Sequence, residues 1–203
     1  MKSKVLSVIV AAVASLTAAA EVDLSMYKPV DPTKNLVKNG TFETCWMAKK
    51  VLPYWGNVSE NAFQDKTVKH SGSASLKIGN VPKSYVAMAF NLGKIESLQN
   101  DLLIRGWCKY ENIKLEKPFR PPFIGIWTYN AKRRNSRTFP LVKVPAGSGE
   151  WFYFEEVVKV ENLKAAAAAV NPPAVTAALR INISLQPGWV WLDDIEIIPL
   201  EKK

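Results

Sequence analysis

The chain has 203 residues, is nearly half hydrophobic and carries a formal net charge of +9. That length suits one domain able to bury its own core. The basic balance favours acidic partners such as uronate or sulfated glycans, anionic envelope surfaces or nucleic acid, with plain solubility as the alternative use of the charge.

At the N-terminus Lys2 and Lys4 precede an apolar run from Val5 to Leu16 that closes on Ala18, Ala19 and Ala20. This is the pattern of a secretory signal peptide over residues 1–20, cleaved after Ala20. The run is short for a membrane anchor, and no later segment is long and apolar enough to span a bilayer. The expected destination is therefore outside the cell, or the periplasm or cell envelope, with no transmembrane segment in the mature chain. Cleavage removes two lysines and no acids, so the exported chain stays basic. Two cysteines, Cys45 and Cys108, then enter an oxidising compartment, where a disulfide is chemically allowed; two small buried hydrophobes is the equally good alternative. Together with one histidine, His70, they fall short of a zinc-ligand set.

Residues 21–34 are polar and proline-bearing without a period, an extended leader along the surface, and one domain is expected over 35–200. Within it, short alternating or β-rich runs recur between turn signals, starting at Ser73, Tyr85, Leu102, Phe123, Trp151, Ala178 and Trp189. That spacing predicts an all-β sandwich or barrel. The clearest alternation sets Leu179, Ile181, Ile183 and Leu185 against Arg180, Asn182, Ser184 and Gln186, one face for the core and one polar. In FIGIWTYN, Ile124, Ile126 and Thr128 oppose Phe123, Trp127 and Tyr129, so inward isoleucines imply an outward aromatic row, the alternative being that both faces are buried, one under a neighbouring loop. The run KAAAAAV from Lys164 stops at Asn171-Pro172-Pro173 and reads as a short helical or loop insert. Between two strands, AKRRNSR from Ala131 to Arg137 forms a basic hairpin or loop tip. Export and the shortness of this cluster argue against nucleic acid as the partner.

The last run contains GWVWLDDIEIIP, where Asp193 and Asp194 are adjacent. Catalytic carboxylates, metal ligands and a strand end are the three readings. Neighbours in a strand point to opposite faces, whereas a glycosidase needs two carboxyls about 5–9 Å apart across one cleft, which disfavours catalysis. In NLVKNGTFE, Asn39-Gly40 marks a turn before the core anchor Phe42; in HSGSASLKI, Ser71-Gly72 opens a strand; LIRGWCKYENI is a strand that leaves its sheet near Asn112.

Taken in order, these four segments resemble carbohydrate-binding modules of the family 4, 9 and 22 type, which are galactose-binding-domain-like jelly-roll β-sandwiches. The resemblance runs from Asn35 to Pro199 and implies a noncatalytic domain. It further implies a structural calcium bound by the Thr41 carbonyl, the carboxylates of Glu43 and Asp193, and carbonyls before Ser71, an oxygen-rich set suited to a hard cation; for Glu43 and Asp193 the alternative is hydrogen bonding to turn amides or pairing with a lysine, without metal. The tryptophan of a late strand, Trp151 here, is expected in the core. Sugar-binding sandwiches stack pyranose rings on exposed aromatics and bond hydroxyls from neighbouring polar groups. The candidate platform is Trp127 and Tyr129 with Arg180, Asn182 and Gln186, completed by Arg105, Trp107 and Lys109 with charge suited to acidic sugars; Trp46, Trp55 and Trp189 are further aromatic options. The expected partner is a polysaccharide or other glycan, with an acidic one favoured by the charge. Docking of another protein, as a structural or adhesion domain of an envelope or extracellular assembly, is the alternative, because fold alone does not determine function.

Overall fold

A computed structural model describes residues 24–46, 52–56, 61–80, 87–115, 122–183 and 187–203. The expected signal segment 1–20 lies outside the described residues, as does Gln186. Eleven strands run β1 (Tyr27–Pro29), β2 (Trp55–Gly56), β3 (Ala62–Asp65), β4 (Ser75–Gly79), β5 (Ala87–Lys94), β6 (Asp101–Ile113), β7 (Phe123–Asn130), β8 (Asn135–Lys143), β9 (Gly147–Val158), β10 (Ala174–Asn182) and β11 (Trp189–Lys202), with a helix α1 (Val160–Ala168) between β9 and β10. One sheet has six strands, ordered β3-β4-β11-β6-β9 with β1 also on β11; the other has five, ordered β2-β5-β10-β7-β8. Every pairing is antiparallel.

Alternation explains how the sheets meet. Leu76, Ile78, Ile104, Leu192 and Ile197 from the six-stranded sheet pack with Met88, Ile124, Ile126, Leu179 and Ile181 from the five-stranded one in a single apolar cluster. Full burial of such a side chain contributes about 1.5–3 kcal/mol. The all-β sandwich expected from the sequence is thus present.

Residues 24–30 do more than lie along the surface. Tyr27–Pro29 pairs with Leu200–Lys202, and Tyr27 joins Leu103, Ile198 and Leu200 in a second small cluster outside the main core. The alanine-rich insert is helical and begins earlier than its alanines. Val160 donates its N–H to Asp101 Oδ1 at 2.9 Å, while Val160, Leu163 and Ala167 enter the core. Both cysteines are free thiols, Cys45 half-buried and Cys108 buried.

Candidate functional site

Asp193 and Asp194 do not follow strict alternation. The β6–β11 register shifts between Asp193 and Glu196, and Asp194 takes φ 51°. This β-bulge re-aims side chains that a regular strand would send to opposite faces, and both carboxylates grip the turn before β4. Buried Asp193 accepts from the His70 and Ser71 amides at 2.9 and 3.1 Å. Asp194 bonds the His70 ring at 2.9 Å and the Ser71 hydroxyl at 2.8 Å. Because Asp194 lies between His70 and Ser71, these three side chains do not form a hydroxyl–imidazole–carboxylate relay.

Glu43 holds the other side of the same turn, accepting from the Ser73 amide at 2.8 Å and from the Ser73 hydroxyl. These bonds hold its carboxyl below the usual range. The segment carrying Glu43 is itself tied to β11: Ile195 donates to the Gly40 carbonyl at 3.0 Å and Ile197 to Asn35 Oδ1 at 3.0 Å. A side chain at Gly40 would overlap the Ile195 carbonyl, which accounts for glycine there.

Two of the four elements implied for calcium, Glu43 and Asp193, hold one turn from its two sides, and the backbone groups they meet there are N–H groups in place of the implied carbonyls. Thr41 and Asp194 line a cleft of about 210 Å³ whose walls include neither Glu43 nor Asp193. Burial, and to a smaller degree the neighbouring Asp194 charge, push the Asp193 carboxyl up to about 6 in spite of its amide bonds. A cation there would share or replace the amide contacts, and among the described residues no three His, Cys, Asp or Glu side chains gather as a metal cluster.

The predicted sugar platform lies on the outer face of the five-stranded sheet. Trp127 and Tyr129 stand on β7, and Arg180 and Asn182 on β10 beside it. Arg180 sits opposite Gly125 on one side and Ala89 on the other. Its guanidinium lies over Trp127, 3.4 Å from the ring centroid, and donates to the Tyr129 hydroxyl at 3.3 Å. Trp127 is consequently only 7% exposed. The expectation of an exposed Trp127 platform is corrected by this geometry: the ring backs a cation instead of offering a bare face. Asn182 is likewise buried.

At one end of this face, Ala131–Arg134 form the exposed tip of the β7–β8 hairpin. Asn130 Oδ1 accepts from the Lys132 and Arg134 amides at 3.0 and 3.1 Å and fixes the tip. Arg137, expected in the tip, belongs to β8. None of the five strands contains Asp or Glu.

Arg105 and Trp107 do not complete that groove. They lie on β6 of the six-stranded sheet, where Arg105 pairs with Glu196 at 2.6 Å. The His70 ring stacks on Trp107 with centroids 3.9 Å apart and planes at 15°. Lys109 bonds Glu150 at 2.7 Å. The residues predicted as one site therefore occupy two faces. Trp151, expected in the core, touches His70 on the outer side of this sheet, while its neighbours Phe152 and Phe154 pack on the core; alternation through WFYF carried that signal. Among the further aromatic options, Trp46 is exposed, Trp55 is in the core and Trp189 lies against Lys77.

No protein-family model matches the chain, and no curated protein matches it. Among solved structures the chain is similar to the arabinose-bound MgGH51 α-L-arabinofuranosidase, at 9% identity and TM-score 0.53 over 81% of this chain and 26% of that one. It is also similar to the enzymatically active domain of tailspike protein 4 of bacteriophage CBA120, at 12% identity and TM-score 0.51 over 80% of this chain and 21% of that one. A third is the CBM22-1 xylan-binding domain of Paenibacillus barcinonensis Xyn10C, at 11% identity and TM-score 0.48 over 73% of this chain and 86% of that one. At these identities the likeness is one of fold alone.

Proposed function

We propose that this protein is an exported, noncatalytic glycan-binding module that holds an acidic polysaccharide on the outer face of its five-stranded sheet. The observation that carries the reading is Arg180 laid on Trp127 and donating to the Tyr129 hydroxyl on the outer face of that sheet. A cation stacked on an indole is held in a fixed orientation, and a planar guanidinium suits carboxylate or sulfate. Lys132, Arg133 and Arg134 at the exposed hairpin tip, with Lys143 opposite Phe123 on β8, add positive charge to this side, whereas Arg137, opposite Thr128, lies on the other face of β8. The fold supports the reading by likeness only.

Calcium at Thr41, Glu43 and Asp193 belongs to the proposal as structural support: it would hold the Asn35–Thr44 segment and the His70–Ser73 turn against β11, away from the sugar face. A second reading, docking of another protein, draws on a different feature. A groove of about 610 Å³ lies between α1 and the start of β10, with Ala167, Ala168, Pro173 and Val175 among its walls, and Val175 is 42% exposed.

Affinity electrophoresis separates the readings. The protein is run through gels containing polygalacturonate, alginate or heparin, each at two salt concentrations. Retardation that weakens with salt and is lost in Arg180→Ala supports the acidic-glycan face. Unretarded migration of folded protein in all three would count against it and turn attention to the α1 groove.

A further inference from the structure

The face to which the structure moves Arg105 and Trp107 carries chemistry of its own. Four rings meet on the outer side of the six-stranded sheet. His70 stacks on Trp107, Trp151 stands edge-on to His70 with centroids 5.7 Å apart, and Tyr153 leans on Trp107 at 5.4 Å. An outward sheet face needs only polar side chains, so a cluster of this size calls for a use.

The rings are held in place. Asp194 orients the His70 imidazole and Asp193 holds its backbone, while the Tyr153 hydroxyl donates to Glu155 at 2.6 Å. They are also reachable: Tyr153 is 46% exposed, and Trp107 and Trp151 are half-buried. A ligand meeting this surface would find its groups already positioned, which reduces the ordering cost of binding.

Around the rings lie groups able to bond vicinal hydroxyls. Arg105 is paired with Glu196, Glu155 follows Tyr153 on the same side of β9, and the Glu150 side chain is 89% exposed. Counting Asp194, carboxylates outnumber Arg105 and Lys109 here. The sign is opposite to that of the five-stranded sheet, and it would repel an anionic chain.

We propose that this ring cluster is a second carbohydrate-binding surface, for a neutral glycan, stacking sugar on Tyr153 and Trp151 and bonding hydroxyls through Glu155 and Arg105. It stands on observations separate from the acidic-glycan reading. With both surfaces occupied, one molecule would hold a neutral and an acidic chain on opposite sides of the sandwich.

The test uses native gels containing galactomannan, xyloglucan or mixed-linkage β-glucan, run with the protein, Tyr153→Ala/Trp151→Ala, Tyr153→Phe and Arg180→Ala. Thermal melts select the variants that fold. The expected result is retardation in at least one neutral gel, weakened about tenfold in the double variant, largely kept in Tyr153→Phe and unchanged in Arg180→Ala. Tyr153→Ala alone, which removes the most exposed ring, should show part of the loss if the double variant does not fold. Absence of retardation in every neutral gel overturns the proposal, as does retardation that Arg180→Ala abolishes and the ring variants leave intact. Retardation of Arg180→Ala in neutral but not acidic gels would place the two surfaces apart; a failure confined to acidic gels concerns only the five-stranded face.

Discussion

Gly72 is where the clamp on the turn before β4 is most exposed to a single change. Its φ is +54°, and a Cβ added there would overlap Glu43 Oε1. An alanine held in the left-handed region costs about 1–3 kcal/mol. Pushing Glu43 aside also weakens its bonds to Ser73, for roughly 0.5–1.5 kcal/mol at this exposed position. Gly72→Ala should therefore destabilise by about 2–4 kcal/mol, a fall in Tm of roughly 5–15 °C for a chain of this size. Differential scanning fluorimetry measures it, and Glu43→Ala with the double variant isolates the clash. The double variant should be more stable than the sum of single losses predicts, by about 0.5 kcal/mol or more. A Gly72→Ala protein melting within a degree or two of the parent would refute the argument that Glu43 and the glycine are fitted to each other.

Partial burial, then the neighbouring Glu155 carboxylate, push the Tyr153 hydroxyl up to about 12. The folded state thus binds this proton more tightly than the unfolded state, so the contribution to stability is present below about pH 10 and is lost as pH rises toward 12. Absorbance titration of Tyr153→Phe against the parent should show one late-ionising tyrosine missing. If calcium sits at Glu43 and Asp193, millimolar calcium should raise the Tm, by the equivalent of about 2.7 kcal/mol at a hundredfold excess over Kd. Asp193→Asn should remove that response, and a parent melting curve indifferent to calcium and to chelator would count against the site. Leu163→Ala should cost about 2–5 kcal/mol in chemical denaturation, since this fully buried side chain anchors α1 to the core; a loss below 1 kcal/mol would mean that the insert is not part of the folded unit.

Although much of the outer side of β7 and β11 is buried as well, alternating core residues made β6, β7, β10 and β11 legible. β8 was not, since Pro140 and the basic run that feeds it read as a loop; an edge strand tolerates such a proline, and β8 ends its sheet. β1, β2 and β3 have too few residues to show a period. The pattern also assigns a residue to the outer side of a strand without saying which sheet the strand joins. Arg105, Trp107 and Lys109 were therefore grouped with Trp127 across the full thickness of the sandwich. The joint grip of Asp193 and Asp194 depends on a β-bulge, which no alternation rule anticipates. Burial of Trp127 depends on Arg180 reaching diagonally from β10, a contact visible only once the register is known.

Calorimetric titration of oligogalacturonate into the parent and into Arg180→Ala, at matched salt and with both proteins shown to be folded, tests the central claim most directly. Saturable binding in the parent, weaker by tenfold or more in the variant as expected for losing a charge-assisted contact of about 1.5–3 kcal/mol, is the predicted result. Equal affinity in the two proteins, or no heat in either, would contradict the assignment of an acidic-glycan site to the Arg180–Trp127 face.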